Sequence, residues 1–138
     1  MHRVFDRYES FLGAKGLAMR FAGIIAAALL AGPALGGETI SLDGFWTRHV
    51  EGEEPLVFAV PNSFESIDGV ATYVRTFTIE DEIPESVIII RFDGVVGQAT
   101  VHLNGVLLGE HGSFTPFTFE VSDSMRPVGQ ENELVVEI

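Results

Sequence analysis

The sequence predicts an all-β domain, and three observations carry that prediction. Residues 37–138 hold 14 Val, 8 Ile, 8 Thr and 8 Phe against three Ala, a mix that suits pleated, half-buried surfaces. Apolar residues recur at every second position in several short runs. Clusters of Gly, Pro, Asn and Asp separate those runs, as turns do between strands.

Taken in order, the first 36 residues stand apart. From Phe21 to Leu35 the chain reads FAGIIAAALLAGPAL without a charge, between Met19-Arg20 and the small residues Gly36-Gly37. This is the pattern of an export signal. It is too short and too rich in Ala and Gly for a membrane span, which needs about 20 strongly apolar residues. Ala34 and Gly36 satisfy the small-residue rule for cleavage, so the mature chain is expected to begin at Gly37, with Gly32 and Ala34 marking a second choice. The stretch before Met19 is of mixed charge, and Met19 reads as an alternative start. No Cys follows the apolar run, so no lipid is expected, and the product is placed in the periplasm or outside the cell, free of the membrane after cleavage.

Within residues 37–138 the strands follow from alternation. Ala71, Tyr73, Arg75, Phe77 and Ile79 alternate with Thr72, Val74, Thr76 and Thr78, giving a strand with one more polar face. Val87–Phe92 is apolar at both parities and reads as a central strand covered on both sides. In QATVHLNGVLL, Ala99, Val101 and Leu103 share a face, and Asn104-Gly105 then supplies the positive φ of a type I′ turn before Val106 and Leu107. Phe117–Val121 and Leu134–Ile138 complete the series, with Pro127 and Gly129 breaking the chain between them. About 100 residues suffice for two packed antiparallel sheets, immunoglobulin-like or jelly roll, and periodicity does not separate these.

Composition excludes several chemistries. The 138-residue chain has no Cys, so disulfide frameworks, thiolate metal clusters and thiol nucleophiles are ruled out. Residues 37–138 carry 18 Asp or Glu, four Arg and no Lys, which repels phosphate backbones and leaves nucleic acid an unsuited partner. The acidity reads as a solubilising surface, since no calcium-type ligand loop occurs. The histidines (His2, His49, His102, His111) are scattered without metal-ligand spacing, so no metal or other cofactor is expected. No serine sits in a Gly-x-Ser-x-Gly elbow, and no carboxylate pair can be nominated as catalytic. Trp46 could stack on a sugar ring, yet in Leu42-Asp43-Gly44-Phe45-Trp46 it reads as a core residue at a strand entry. Phe114, Phe117 and Phe119 read as core, the last two by parity with Val121. Arg75 and Arg91 are expected to pair with neighbouring acids, and Asn104 is explained by its turn.

Several segments in a fixed order carry a resemblance. They are Leu42-Asp43-Gly44-Phe45-Trp46, Val60-Pro61-Asn62-Ser63-Phe64, Tyr73-Val74-Arg75-Thr76-Phe77, Arg91-Phe92-Asp93-Gly94-Val95 and Val101-His102-Leu103-Asn104-Gly105. Leu108 to Phe117, Phe119-Glu120-Val121-Ser122-Asp123 and Glu131 to Val136 continue it. Together they resemble the N-terminal sugar-binding domain of glycoside hydrolase family 2, the β-galactosidase, β-glucuronidase and β-mannosidase group. The resemblance implies a jelly-roll β-sandwich of galactose-binding-domain-like type. It also implies a role in hydrolysis of β-linked sugars, with the catalytic glutamates on a separate C-terminal barrel.

This chain is therefore expected to be inactive alone and to partner either a carbohydrate or a glycosidase catalytic domain. A stand-alone lectin-like module and a nonfunctional truncated product are the alternatives. The family domain continues past a motif like Asn132-Glu133-Leu134, so an end at Ile138 is expected to lack a closing strand and to leave an apolar sheet edge unpaired. A sugar contact, if present, is expected on the loop from Asn62 to Asp68, where Asn62, Glu65 and Asp68 offer acceptors and amide donors to hydroxyls.

Overall fold

The computed structural model describes residues 28–31, 38–61, 69–82, 87–112 and 114–138. Its strands are β1 (Ala28–Ala31), β2 (Glu38–Ser41), β3 (Gly44–Val50), β4 (Leu56–Val60) and β5 (Ala71–Thr78). Then come β6 (Ile88–Phe92), β7 (Ala99–Leu103), β8 (Val106–His111), β9 (Phe117–Glu120) and β10 (Glu131–Glu137). Among the described residues, helix is confined to one 3-10 turn at Ser122–Ser124.

All pairings are antiparallel, in a four-stranded sheet β2-β1-β6-β9 and a six-stranded sheet β4-β3-β5-β10-β7-β8. The two sheets share one core, because alternate residues of each strand turn inward. Trp46, Tyr73, Val101, Leu103, Leu134 and Val136 from the larger sheet meet Ile90, Phe92 and Phe117 from the smaller. Phe92 and Phe117 stack with ring centroids 4.7 Å apart, and Phe119 meets Phe92 edge-on at 6.5 Å. Burying such rings accounts for much of the hydrophobic stabilisation, at roughly 25 cal/mol per Å² of apolar surface.

Trp46 is the core residue expected: its ring is buried and Nε1 donates to the Leu42 carbonyl at 2.9 Å. The Asn104-Gly105 hairpin forms as the sequence predicts, with φ of 53° and 81° at the two turn residues. β6 is the central strand expected, lying between β1 and β9. Ile90 and Phe92 turn into the core, whereas Ile89 and Arg91 on the other parity are only half-buried and Val87 is exposed, so the cover expected on both faces is complete on one face alone.

The end of the chain differs from expectation. β10 begins at Glu131, three residues before the apolar run, because Asn132 turns inward between the outward Glu131 and Glu133. It is an inner strand between β5 and β7, and Ile138 exchanges two backbone hydrogen bonds of 2.9 Å with Ala71. The expected unpaired apolar edge is therefore not at β10, since both of its sides are hydrogen-bonded.

The N-terminal apolar run also contributes to the sheet. Ala28–Ala31 form β1, inserted between β2 and β6, although they precede the expected domain boundary at Gly37.

Candidate functional site

The loop residues nominated from sequence, Asn62, Glu65 and Asp68, lie outside the described residues. Where the chain resumes, Gly69 and Val70 border a groove with His49, Val50, Glu51 and Thr72, of about 590 Å³. β3 and β5 place these residues side by side: His49 faces Thr72 and Val50 faces Ala71 in the ladder. An imidazole, a carboxylate and a hydroxyl beside exposed Val70 can hydrogen-bond a hydroxylated ligand and cover an apolar patch.

A second feature spans the outer face of the six-stranded sheet. The ladders align Val57, Thr47, Val74, Val135, His102 and Leu107 in one row across all six strands. At about 4.8 Å between strands the row is roughly 24 Å long. The residues beside these on their strands, such as Tyr73, Leu134, Val136 and Val101, are buried in the core, so the pleat turns the row outward. Val57 and Leu107 are 62% and 56% exposed, and Phe45, further along β3, is 69% exposed. The neighbouring row, His49, Thr72, Glu137, Thr100 and Glu110, is polar, and Glu133 borders Val135 on its other side. The row is apolar at four of its six positions, with Thr47 and His102 between them and acidic residues on its margins, a mixed surface suited to a protein contact.

The third feature is the loop before β9. Phe114 was expected in the core with Phe117 and Phe119, but it is 75% exposed and held at φ 67°, where its amide donates to the Val95 carbonyl at 3.0 Å. Phe117 is buried as predicted. Grouping Phe114 with the two strand residues misleads because it precedes β9 and occupies a turn rather than a pleat. His111 stacks on Phe117 with centroids 4.2 Å apart and bonds Thr115 Oγ1 through Nε2 at 2.8 Å. That packing is structural rather than ligand-directed.

The arginines divide. Arg91 pairs with Asp93 as expected, Nε to Oδ1 at 2.8 Å. Arg75 instead donates from Nη1 to the Phe45 carbonyl at 2.5 Å, because its ladder position brings it under β3 rather than beside an acid. Nearby, Asp43 has its carboxyl pKa raised by desolvation, a shift that the Ser41 hydrogen bond opposes and the charge of Asp93 reinforces. Among the described residues, no group of three or more potential metal-ligating side chains converges.

The family profile "Glycosyl hydrolase 2 galactose-binding domain-like" matches residues 58–138. The chain is 35% identical over 79 residues to a β-galactosidase of Streptococcus thermophilus, covering 56% of this chain and 8% of that enzyme. It is 31% identical over 70 residues to a β-galactosidase of Thermoanaerobacter pseudethanolicus, covering 50% of this chain and 9% of the enzyme. The solved β-glucuronidase of Bifidobacterium dentium, complexed with coumarin-3-O-glucuronide, is similar at TM-score 0.63 and 29% identity over 80% of this chain and 20% of its own. The β-D-glucuronidase of Dictyoglomus thermophilum shares the fold at TM-score 0.63 and 24% identity, over 88% of this chain and 21% of its own. The matched part of this chain thus spans under a quarter of each of these proteins. With two antiparallel sheets around one core and a family match over more than half its length, the chain belongs to the glycosyl hydrolase 2 galactose-binding domain-like family.

Proposed function

We propose that this chain is the exported, noncatalytic N-terminal domain of a family 2 glycoside hydrolase, which supports hydrolysis of β-linked sugars by packing against a catalytic barrel. The observation that carries this reading is the outward row through Val57, Val74, Val135 and Leu107. Four outward apolar residues in one row, two of them exposed, gain nothing in a domain that meets only water, whereas a domain that abuts a larger body buries them. The names of its relatives favour β-galactosides or β-glucuronides as the sugars concerned. The apolar run before Gly37 supports export.

The test uses the full chain with p-nitrophenyl β-galactoside and β-glucuronide, followed by calorimetric titration with the corresponding free sugars. No turnover and no saturable binding are expected. Turnover would overturn the noncatalytic reading. Saturable binding by the folded chain alone would favour the lectin-like alternative, with the groove at His49, Glu51 and Thr72 as its site.

A further inference from the structure

The unpaired apolar edge that β10 lacks is found at β4. Leu56–Val60 ends the six-stranded sheet on one side, and among the described residues no strand bonds its outer flank. Its ladder to β3 runs through five pairs without a bulge, and LVFAV contains no charge, Gly or Pro. Those are the devices by which sheet edges are blunted. The other edges have them. β2 and β9 are only four residues long, and β8 carries a register irregularity, Gly109 and Glu110, with the Phe119 ring of β9 against Gly109.

β4 also exposes aliphatic side chains on both of its faces. Val57, paired with Thr47 on the outward row, is 62% exposed, and Leu56, on the inward parity of Phe58 and Val60, is 47% exposed. A body laid on the outer face covers Val57 and leaves Leu56 in water. A strand added alongside covers both, because its own side chains alternate between the same two faces.

We propose that β4 is a homodimerisation edge, which pairs antiparallel with β4 of a second copy across a two-fold axis at Phe58 and joins the two six-stranded sheets into one. The occupant has to be uncharged and apolar at both parities, as β4 itself is. With Phe58 on the axis, Leu56 lies opposite Val60 of the second copy and Val57 opposite Ala59, so no polar side chain enters the pairing. Charge selects the direction. Glu51, Glu53 and Glu54 are exposed just before β4, with Arg48 at 3.6 Å from Glu53. A parallel pair would set the two acidic turns side by side. In the antiparallel pair the two Glu54 positions stand roughly 27 Å apart, at about 3.4 Å per residue, well beyond the screening length of about 8 Å at physiological salt. The formal net charge of -12 on each copy remains as a general repulsion, so salt strengthens the association. An isologous pair of β4 edges closes on itself and stops at two copies.

Sedimentation velocity of the full chain from about 1 to 200 µM is expected to show a reversible monomer–dimer equilibrium that shifts toward dimer as salt is raised. Val57→Lys sets a charge on the edge at an exposed position and is expected to raise the dimer dissociation constant about tenfold or more. Val135→Lys on the outer face of β10 and Val106→Lys on the β8 edge are expected to leave it within about twofold. A monomer at every concentration overturns the proposal. So does assembly beyond the dimer, or a dimer weakened by Val135→Lys or Val106→Lys and not by Val57→Lys. Should Val57→Lys not fold, as read by Trp46 emission, hydrogen exchange on the unaltered chain decides. Amides of β4 that gain protection with concentration while those of β8 do not are expected, and β4 exchange independent of concentration overturns it. None of these outcomes bears on turnover or sugar binding, so the pairing of β4 and the noncatalytic reading stand or fall separately.

Discussion

Asn104 Nδ2 donates to Asn132 Oδ1 at 2.8 Å, tying the β7–β8 turn to the start of β10 across 28 positions of sequence. Asn132 is fully buried, and its Oδ1 also accepts the Arg126 amide at 2.8 Å. Asn104 returns two further bonds, from Nδ2 to the Ser124 carbonyl at 2.7 Å and from the Glu133 amide to Oδ1 at 2.9 Å. Three chain segments that are distant in sequence are held by two side-chain amides.

Replacing Asn132 by Leu is expected to destabilise the fold by about 3 kcal/mol, since it leaves the Arg126 amide and one of the two Nδ2 hydrogens of Asn104 without an acceptor. Asn104→Gly keeps the turn's positive φ and removes only the amide. A double-mutant cycle by urea denaturation is expected to give a coupling energy of about 1 kcal/mol or more between them. Additive effects would show that the two amides do not act as a unit.

Phe114 sits in the left-handed region with its ring largely in solvent. Phe114→Asn is expected to leave stability unchanged or raise it by about 1 kcal/mol, because Asn tolerates that conformation at lower cost. A clear fall in the melting temperature would mean that the ring packs on something in solution.

Gly109 lies against Phe119: a Cβ there would stand 2.8 Å from Phe119 Cε1, and its φ is 153°. Gly109→Ala is expected to displace that ring from β9 and cost about 1–3 kcal/mol, read as a lower denaturation midpoint at unchanged slope.

The raised pKa of Asp43 gives a signed pH dependence. Its folded-state carboxyl binds a proton more tightly than the unfolded one, so its contribution favours folding in acid. That contribution is lost as pH rises from the unfolded value, near 3.8, through the folded pKa. Asp43→Asn is therefore expected to stabilise the domain at neutral pH relative to the parent, with the difference shrinking in acid. A difference that grows in acid would contradict the assigned direction.

Truncating the Trp46 ring separates packing from hydrogen bonding. Trp46→Phe is expected to cost about 2 kcal/mol through a smaller ring and an unsatisfied Leu42 carbonyl, and Trp46→Ala about 3–5 kcal/mol. Thermal denaturation of the two variants measures both.

Much of the fold was legible in the residues themselves, because side-chain period and turn chemistry are local. The alternation at Ala71–Ile79, the doubly apolar Ile88–Ile90 and the Asn104-Gly105 turn each became the element predicted. Locality also explains the misreadings. Asn132 is a polar residue at a core position, intelligible only once Asn104 and Arg126 are beside it. Phe114 has the composition of a core residue and the backbone of a turn.

The candidate surfaces were legible only in part. Outward apolar residues such as Val74 and Val135 can be marked strand by strand, but their row requires the order β4-β3-β5-β10-β7-β8, which joins strands far apart in the chain. The groove at His49 and Thr72 depends on the same pairing. The sequence by itself determined that the domain is all-β, acidic and without cysteine chemistry, since composition and period express those properties directly. Only the tertiary structure decided which strands adjoin, why β10 is an inner strand and why Ala28–Ala31 lie between β2 and β6. Strand adjacency is set by long-range backbone hydrogen bonds, and every strand offers the same donors and acceptors whatever its side chains.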